Sequence, residues 1–301
     1  MKTLFVLLGA TGVGKTDMSI LLAQKLGCSI ISCDSRQIYK ELKIGVAAPT
    51  DEQLQQVKHY FIGSRSIEEH YSAGQYELDA LPIIEREIEQ NGCALLVGGS
   101  MLYIDAICKG IDDIPDILPE TRQSVKDLCE KEGIEGVRML LKTLDYQHYK
   151  EVDLKNVKRM LHALEVCMQT GEKFSKFRKN TAKQRSFNIV KIGLNCEREK
   201  LYERINLRVL KMIEQGLVQE AFSIKDKRHL NALDTVGYKE LFAYFDGEYP
   251  LERAIELIQR NTRHYAKKQL SWFNRDKNIN WFDCNFEKKS QNILLYFNNF
   301  L

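Results

Sequence analysis

Short, almost uninterrupted runs of apolar residues mark the first hundred positions of the chain. The clearest runs are Leu4–Leu8, Ser29–Ser32 and Ala94–Val97. Strands that are buried on both faces have this unbroken apolar character, as in parallel sheets covered by helices. The segments between the runs have the spacing of amphipathic helices, and the first helical stripe ends at Gly27. This alternation predicts a parallel, doubly wound α/β sheet.

A different pattern begins at the acidic, proline-containing stretch Gly110–Pro119. The apolar spacing then becomes helical, with helices predicted over Glu120–Lys131, Glu135–Leu144 and Val157–Thr170. A strand pattern returns at Asn188–Leu194, before helical patterns over Arg198–Gln215, Leu217–Lys225, Val236–Phe245 and Leu251–Trp272. We therefore predict an α/β core from residues 1–112 and 186–301, with an all-helical insertion domain at residues 113–185.

Composition and charge narrow the class of protein only modestly. The chain has 301 residues, of which 44% are hydrophobic and 28% charged, and this balance is typical of a folded protein. A net charge of +3 does not by itself indicate nucleic-acid binding. No signal-peptide pattern precedes the first strand, and no apolar run is long enough to span a bilayer. We expect a cytoplasmic protein without a membrane anchor.

The cysteines lie singly along the chain. None has the C-x-x-C spacing of a zinc site. We predict reduced, mostly buried thiols at Cys28, Cys33, Cys93, Cys108, Cys129, Cys167, Cys196 and Cys284.

A glycine-rich motif follows the first predicted strand and precedes the first predicted helix. It fits the G-x-x-x-x-G-K-[ST] pattern of a phosphate-binding loop (P-loop), with the residues Gly9, Ala10, Thr11, Gly12, Val13, Gly14, Lys15 and Thr16. Glycines let backbone amides turn toward phosphate oxygens, and the helix amino terminus adds positive potential. Lys15 supplies a full positive charge, and the Thr16 hydroxyl is placed to bind Mg²⁺. A chance glycine turn would not explain why Lys15 and Thr16 follow Gly14 directly.

Polar residues also follow the second and third predicted strands, where ligands bind in open α/β sheets. Asp34 should face the same crevice as Lys15 and act as metal ligand or general base, or else cap a helix; its position alone gives both interpretations equal weight. Ser100 follows Gly98 and Gly99, and would bind substrate or cap the next helix. The third strand ends without the carboxylate with which an ATPase normally holds Mg²⁺, which argues against nucleotide hydrolysis.

Basic residues cluster in three segments that could bind phosphate groups. No acidic residue occurs from Lys173 to Cys196, and Phe174, Phe177 and Phe187 are interleaved with the basic residues Lys173, Lys176, Arg178, Lys179, Lys183, Arg185 and Lys191. Such a mixture favours RNA, because cations neutralise phosphates and aromatic rings stack on unpaired bases. Two helices add the basic sets Lys158, Arg159 and His162, and Arg204 with Arg208 one turn later. A solvated surface is the alternative for each cluster.

These motifs occur together in one family. The chain resembles the tRNA dimethylallyltransferases over essentially its whole length, in the segments 9–16, 34–39, 98–103, 159–166, 204–209, 235–240 and 262–273. The resemblance implies transfer of a dimethylallyl group from dimethylallyl diphosphate to the exocyclic N6 amine of the adenine 3′ to the anticodon, in UNN-reading tRNAs, with release of diphosphate. It further implies Mg²⁺ as cofactor, the tRNA anticodon stem-loop as partner and a monomeric protein.

The same resemblance implies roles for individual residues. Catalytic roles fall on Asp34, Lys15, Thr16 and Arg208, with Asp34 as the proton acceptor and Thr16 as the Mg²⁺ ligand. The P-loop and Arg204 would bind the diphosphate, and Arg208 is the better candidate of the two arginines. Contacts with tRNA would come from Asp34, Ser35, Arg36, Gln37, Ser100, Arg122, Lys158, Arg159 and His162. The segment 262–273 should lie near the RNA or close the crevice.

Three departures from the family pattern bear on these expectations. Ser100 replaces a common threonine but keeps the hydroxyl, whereas His162 replaces a common arginine and puts one phosphate contact in doubt. No carboxy-terminal zinc-finger pattern is visible, so the chain resembles the bacterial form. Two other functions fit parts of the sequence: a small-molecule kinase that binds ATP at the P-loop, and a non-catalytic RNA-binding protein.

Overall fold

The computed structural model describes residues 2–179 and 181–283, together with residues 293 and 296. It divides into two compact units, one formed by Met1–Cys108 with Gln184–Leu301 and the other by Lys109–Lys183. The boundaries predicted from the sequence were 112/113 and 185/186. Cys284 lies outside the described residues.

A single parallel sheet forms the centre of the first unit. Its strands are β1 (Thr3–Gly9), β2 (Ile30–Ser32), β3 (His59–Tyr60), β4 (Cys93–Gly98), β5 (Asn188–Asn195) and β6 (Ile279–Asp283). Their spatial order is β3-β2-β4-β1-β5-β6, and every neighbouring pair is parallel. The predicted parallel α/β fold is confirmed.

Helices flank the sheet or build the second unit. In chain order they are α1 (Lys15–Leu26), α2 (Asp51–Gln56), α3 (Ala73–Asn91), α4 (Met101–Lys109), α5 (Pro119–Leu144), α6 (Tyr146–Glu151), α7 (Val157–Thr170), α8 (Phe174–Phe177), α9 (Arg198–Glu214), α10 (Leu217–Ser223), α11 (Tyr238–Phe245) and α12 (Leu251–Phe273).

The unbroken apolar run in β1 reflects burial on both sides of the sheet. Phe5 and Leu7 pack into one apolar cluster with Met18 of α1, whereas Leu4 and Val6 pack into a second cluster that contains α3 residues. Alternate side chains of a strand point to opposite faces, so a strand covered by helices on both faces needs apolar residues at every position.

The second unit contains only helices among its described elements. The two helices predicted over 120–131 and 135–144 are halves of α5, which is interrupted by the non-helical backbone of Gly133 (φ 67°, ψ −173°). Helix α7 begins as predicted, and the Asn156 side chain caps it by accepting a hydrogen bond from Arg159 N at 3.2 Å. An apolar cluster that includes Val137, Leu141 and Leu164 holds these helices together.

Candidate active site

The P-loop connects β1 to α1, and its glycines adopt backbone conformations that other residues rarely adopt. Gly12 and Gly14 have φ angles of 85° and 90°, in the left-handed region that favours glycine. No side chain fits at Gly9, because a Cβ there would lie 2.7 Å from the Leu194 carbonyl oxygen. The amino terminus of α1 therefore opens onto a cavity beyond the carboxyl ends of the strands.

Lys15 lies back across the loop. Its Nζ donates hydrogen bonds to the carbonyl oxygens of Gly9 and Ala10, both at 2.9 Å. Burial lowers the pKa of Lys15 to about 8; the negative charge of Asp34 opposes this shift and the positive charge of Arg208 adds to it. The ammonium group is thus held where an incoming anion would replace two neutral carbonyl partners.

Asp34 follows β2, and its side chain fixes a turn there rather than capping a helix. Its Oδ1 accepts hydrogen bonds from Arg36 N at 2.9 Å and Gln37 N at 3.3 Å, which fixes a turn rather than the start of an α-helix. Its side chain also lines the cavity that Lys15 lines. Among the described residues, none donates a hydrogen bond to Asp34 Oδ2, so that oxygen can accept a proton.

Ser100 ties the end of β4 to the turn after β2. Its Oγ accepts a hydrogen bond from Ser35 N at 2.8 Å and donates one to Ser35 Oγ at 3.2 Å. Capping of the next helix, one interpretation of this residue, is not what the hydroxyl does. Ser100 therefore fixes the turn that carries Asp34 to the end of β4.

The cavity brings together most of the predicted diphosphate-binding and catalytic residues. It has a volume of about 330 Å³. Polar lining comes from P-loop residues, Asp34, Gln37 and Arg208, and apolar lining includes Val46, Ala47, Pro49 and Ile62. A mixed cavity of this kind suits a ligand with a charged head and an apolar tail.

The two arginines of α9 differ in their access to the cavity. Arg208 lines it and donates from Nη2 to Thr11 Oγ1 at 2.6 Å. Burial lowers the pKa of Arg208, with Asp34 opposing the shift, and its buried Nε has no partner among the described residues. Arg204 is exposed and does not line the cavity. The geometry favours Arg208 as the guanidinium that meets a ligand there.

Gln269 is a site residue that the sequence reasoning did not single out. Its side chain, 2% exposed, accepts a hydrogen bond from Thr11 N at 2.9 Å and donates one to the Gly99 carbonyl oxygen at 2.8 Å. It therefore joins the P-loop to the end of β4. The only sequence signal was its place within segment 262–273.

Tyr265 lies one helical turn before Gln269 on the same helix. Burial and, to a smaller extent, the charge of Asp34 raise the pKa of Tyr265 to about 12, although Arg36 and a hydrogen bond with Ser100 oppose the shift. The segment 262–273 thus brings two polar side chains to the strand ends that carry Asp34 and Ser100.

The predicted RNA-contacting residues of the second unit lie on accessible surface. Lys158, Arg159 and His162 are exposed on α7 and share a face through i, i+3 and i, i+4 spacing. His162 Nδ1 lies 3.4 Å from Glu165 Oε2. Arg122 is half-buried and donates from Nε to the Ile117 carbonyl oxygen at 3.4 Å.

The acid-free basic stretch is less available than its composition suggested. Arg185 forms a buried ion pair with Glu77 at 2.7 Å, and Lys191 pairs with Asp276 at 2.6 Å. Phe174 and Phe187 are buried in apolar clusters, so neither ring is free to stack on a base. These four side chains are therefore less available to RNA than the composition of the stretch suggested.

Comparison with known proteins assigns the chain to a family. The family model described as IPP transferase matches residues 37–276. The chain belongs to the IPP transferase family. Relatives of this transferase include tRNA dimethylallyltransferase 2 of Porphyromonas gingivalis, 52% identical over 286 residues with 95% of each chain covered. Another is tRNA dimethylallyltransferase 1 of Bacteroides fragilis, 52% identical over 288 residues with 96% of each chain covered.

Solved structures of IPP transferases share the fold. The full-length tRNA isopentenylpyrophosphate transferase of Bacillus halodurans is 32% identical, with a TM-score of 0.72 and coverage of 99% of this chain and 96% of that chain. A eukaryotic dimethylallyltransferase acting on tRNA shares the fold at 24% identity, with a TM-score of 0.83 over 100% of this chain and 79% of that one.

The described part of this IPP transferase has neither a candidate membrane span nor a cluster of metal-binding side chains. None of its helices there is both long and apolar enough to cross a bilayer. The same residues contain no group of three or more His, Cys, Asp or Glu side chains that could hold a metal ion.

Proposed function

We propose that this IPP transferase moves the dimethylallyl group of dimethylallyl diphosphate to the N6 amine of the adenine 3′ to the anticodon of UNN-reading tRNAs. The observation that carries the proposal is that Lys15, Arg208 and Asp34 line one cavity. A leaving group and a proton acceptor are thereby placed at one reaction centre. The names of the relatives, tRNA dimethylallyltransferases at 52% identity, support the same substrates.

The diphosphate is the end of the donor that the P-loop binds. Its oxygens accept hydrogen bonds from loop amides and from Thr16, and Lys15 exchanges its carbonyl partners for them. Arg208, held by Thr11, adds a second cation beside the bond that breaks. These groups stabilise the negative charge that develops as the carbon–oxygen bond breaks, which is the main electrostatic demand of the reaction.

Asp34 acts on the acceptor. The N6 nitrogen of adenine is a weak nucleophile and must be oriented toward the first carbon of the dimethylallyl group. As the nitrogen–carbon bond forms, the carbon–oxygen electron pair leaves with the diphosphate, and one N6 proton passes to Asp34 Oδ2. The two backbone amides on Oδ1 orient the carboxylate for this transfer.

Magnesium fits the oxygen donors present. The Thr16 hydroxyl lines the cavity, and Mg²⁺ is commonly held by one or two protein oxygens with waters and substrate phosphates completing its shell. Such a site needs no full cage of protein carboxylates. When bound, the ion would neutralise charge on the diphosphate.

The acceptor is proposed to be a tRNA anticodon stem-loop, bound by a monomeric, cytoplasmic protein. The target adenine has to leave its stack to reach Asp34, as in other base-modifying enzymes. The exposed basic face of α7, with Lys158, Arg159 and His162, suits contact with RNA phosphates, while Ser35, Arg36, Gln37 and Ser100 surround the turn that carries Asp34.

The test is incubation with unmodified tRNA, Mg²⁺ and dimethylallyl diphosphate labelled in its prenyl group, followed by nucleoside analysis. We expect label in one adenosine and none in a tRNA with guanine at that position. A parallel reaction with γ-labelled ATP should label nothing. Phosphoryl transfer from ATP, with no prenylated nucleoside, would show a kinase instead.

A further inference from the structure

The loop after β2 is held by a distant carboxylate. Glu220 of α10 accepts hydrogen bonds from three consecutive backbone amides: Lys43 N at 3.0 Å and Ile44 N at 2.8 Å on Oε2, and Gly45 N at 2.8 Å on Oε1. A carboxylate that accepts several backbone amides fixes the local backbone strongly. The segment 43–48 is therefore anchored by a residue more than 170 positions away.

Tyr238 completes this anchor. Its hydroxyl donates to Glu220 Oε1 at 2.7 Å, and its fully buried ring packs against Gly45 so closely that a Cβ there would lie 2.6 Å from the ring. Burial first, and then the charge of Glu220, raises the pKa of Tyr238, so the phenol stays a donor. Gly45 is thus required by close approach of a side chain rather than by its own φ angle.

The anchored segment continues directly into the apolar part of the cavity wall. Val46 and Ala47 line the cavity, and their carbonyl oxygens accept hydrogen bonds from Gln37 Nε2 at 3.2 and 2.9 Å. Ala47 has a φ of 49°, a left-handed conformation that is strained for alanine and persists only where its surroundings impose it. Glu220 holds the amides just before this residue and Gln37 holds its carbonyl group, so both constrain the conformation.

We propose that Glu220, oriented by Tyr238, is a positioning residue that sets this wall and thereby restricts the transferred prenyl group to five carbons. The inference rests on the proposed function. A single methylene in an apolar pocket changes discrimination by about 10–200-fold when the pocket is rigid. Rigidity of Val46 and Ala47 therefore decides whether a ten-carbon donor is rejected.

The experiment compares dimethylallyl diphosphate with geranyl diphosphate as donors for the same tRNA. In Glu220→Gln one acceptor oxygen becomes an NH₂ group that faces backbone N–H groups, so the wall should loosen. We expect KM for dimethylallyl diphosphate to rise about tenfold with kcat changed less than about threefold, and the preference for it over geranyl diphosphate to fall about tenfold. Tyr238→Phe, which keeps the ring and removes one hydrogen bond, should shift both in the same direction by about threefold.

Glu240→Gln is the matched control. Glu240 is also a glutamate of this apolar helical region, and it accepts Gly237 N at 2.8 Å and Asn261 Nδ2 at 2.7 Å, neither of which lines the cavity. It should lower Tm without changing donor preference. An unchanged KM and preference in Glu220→Gln, or an equal shift in Glu240→Gln, would overturn the inference.

Two further results decide the remaining cases. If Glu220→Gln does not fold, Tyr238→Phe decides, and a wild-type preference in that variant refutes the positioning role. Wild-type protein that transfers no prenyl group refutes the proposed function and this inference with it, whereas wild-type transfer combined with an unaltered Glu220→Gln refutes the inference alone.

Discussion

Gln269→Leu tests whether one buried side chain holds the P-loop in its binding geometry. Leucine is close to glutamine in size and removes both polar atoms from a position that is 2% exposed. The substitution leaves Thr11 N–H without its acceptor and the Gly99 carbonyl without its donor. Leucine fills the space, so the expected effect comes from unpaired polar groups and not from a cavity.

The magnitude follows from these two lost hydrogen bonds. A buried polar group left without a partner costs about 1–3 kcal/mol, so the loss of partners for two groups should lower the free energy of unfolding by about 2–6 kcal/mol. Thr11 also presents its hydroxyl to Arg208. Displacement of Thr11 should therefore weaken the binding of inorganic diphosphate, by about tenfold if one charge-assisted hydrogen bond is lost.

Urea denaturation and titration calorimetry with diphosphate measure the two effects. Gln259→Leu is the control, because Gln259 lies on the same helix and, within the described residues, makes one hydrogen bond, at 3.3 Å to the Asn206 carbonyl oxygen. Gln259→Leu should lower the free energy of unfolding by about 1 kcal/mol at most and leave the affinity for diphosphate unchanged. If Gln269→Leu behaves like Gln259→Leu in both assays, the hydrogen bonds of Gln269 to Thr11 and Gly99 contribute nothing to stability or to diphosphate binding.

Three further outcomes follow from the cavity. Because burial lowers the pKa of Lys15 to about 8, the ammonium is lost above that pH, so kcat/KM for dimethylallyl diphosphate should decline there. Lys15→Arg, which stays charged, should abolish the decline, and a wild-type profile that is flat to pH 10 would contradict this. Gly99→Ala places a Cβ 2.4 Å from Gln269 Nε2 and should lower the free energy of unfolding by about 1–3 kcal/mol, measured by denaturation. Arg208→Gln should weaken diphosphate binding about 10–100-fold in calorimetry, whereas Arg204→Gln, at an exposed position, should change it less than about threefold; equal effects would refute the distinction.

The sequence predicted those strands that are covered on both faces. Strands β1, β2 and β4 were visible because burial on both faces demands apolar residues in series, and β5 was also predicted although only its second half is buried. The two-residue β3 and the partly exposed β6 carry too little of that pattern, and both were missed. Edge strands are short and need only one apolar face, so their sequence signal is weak.

Local sequence motifs were enough to predict some of the residues that line the cavity. The P-loop and Asp34 could be assigned because a strand end, a glycine turn and a helix start determine their positions within a few residues. Gln269 and Glu220 could not, since their partners lie 258 and up to 177 positions away. Distant partners also bury Arg185 and Phe187, which the composition of their stretch could not show.

Asp34→Asn removes the proposed proton acceptor but keeps the shape of the side chain and the Oδ1 acceptor of the turn. Single-turnover prenyl transfer and tRNA affinity would be measured on the same preparation. The rate of prenyl transfer by Asp34→Asn should fall about 10²–10⁴-fold, while the tRNA dissociation constant should change less than about threefold. Wild-type transfer by Asp34→Asn would contradict the assignment of Asp34 as the base in a cavity shared with the P-loop.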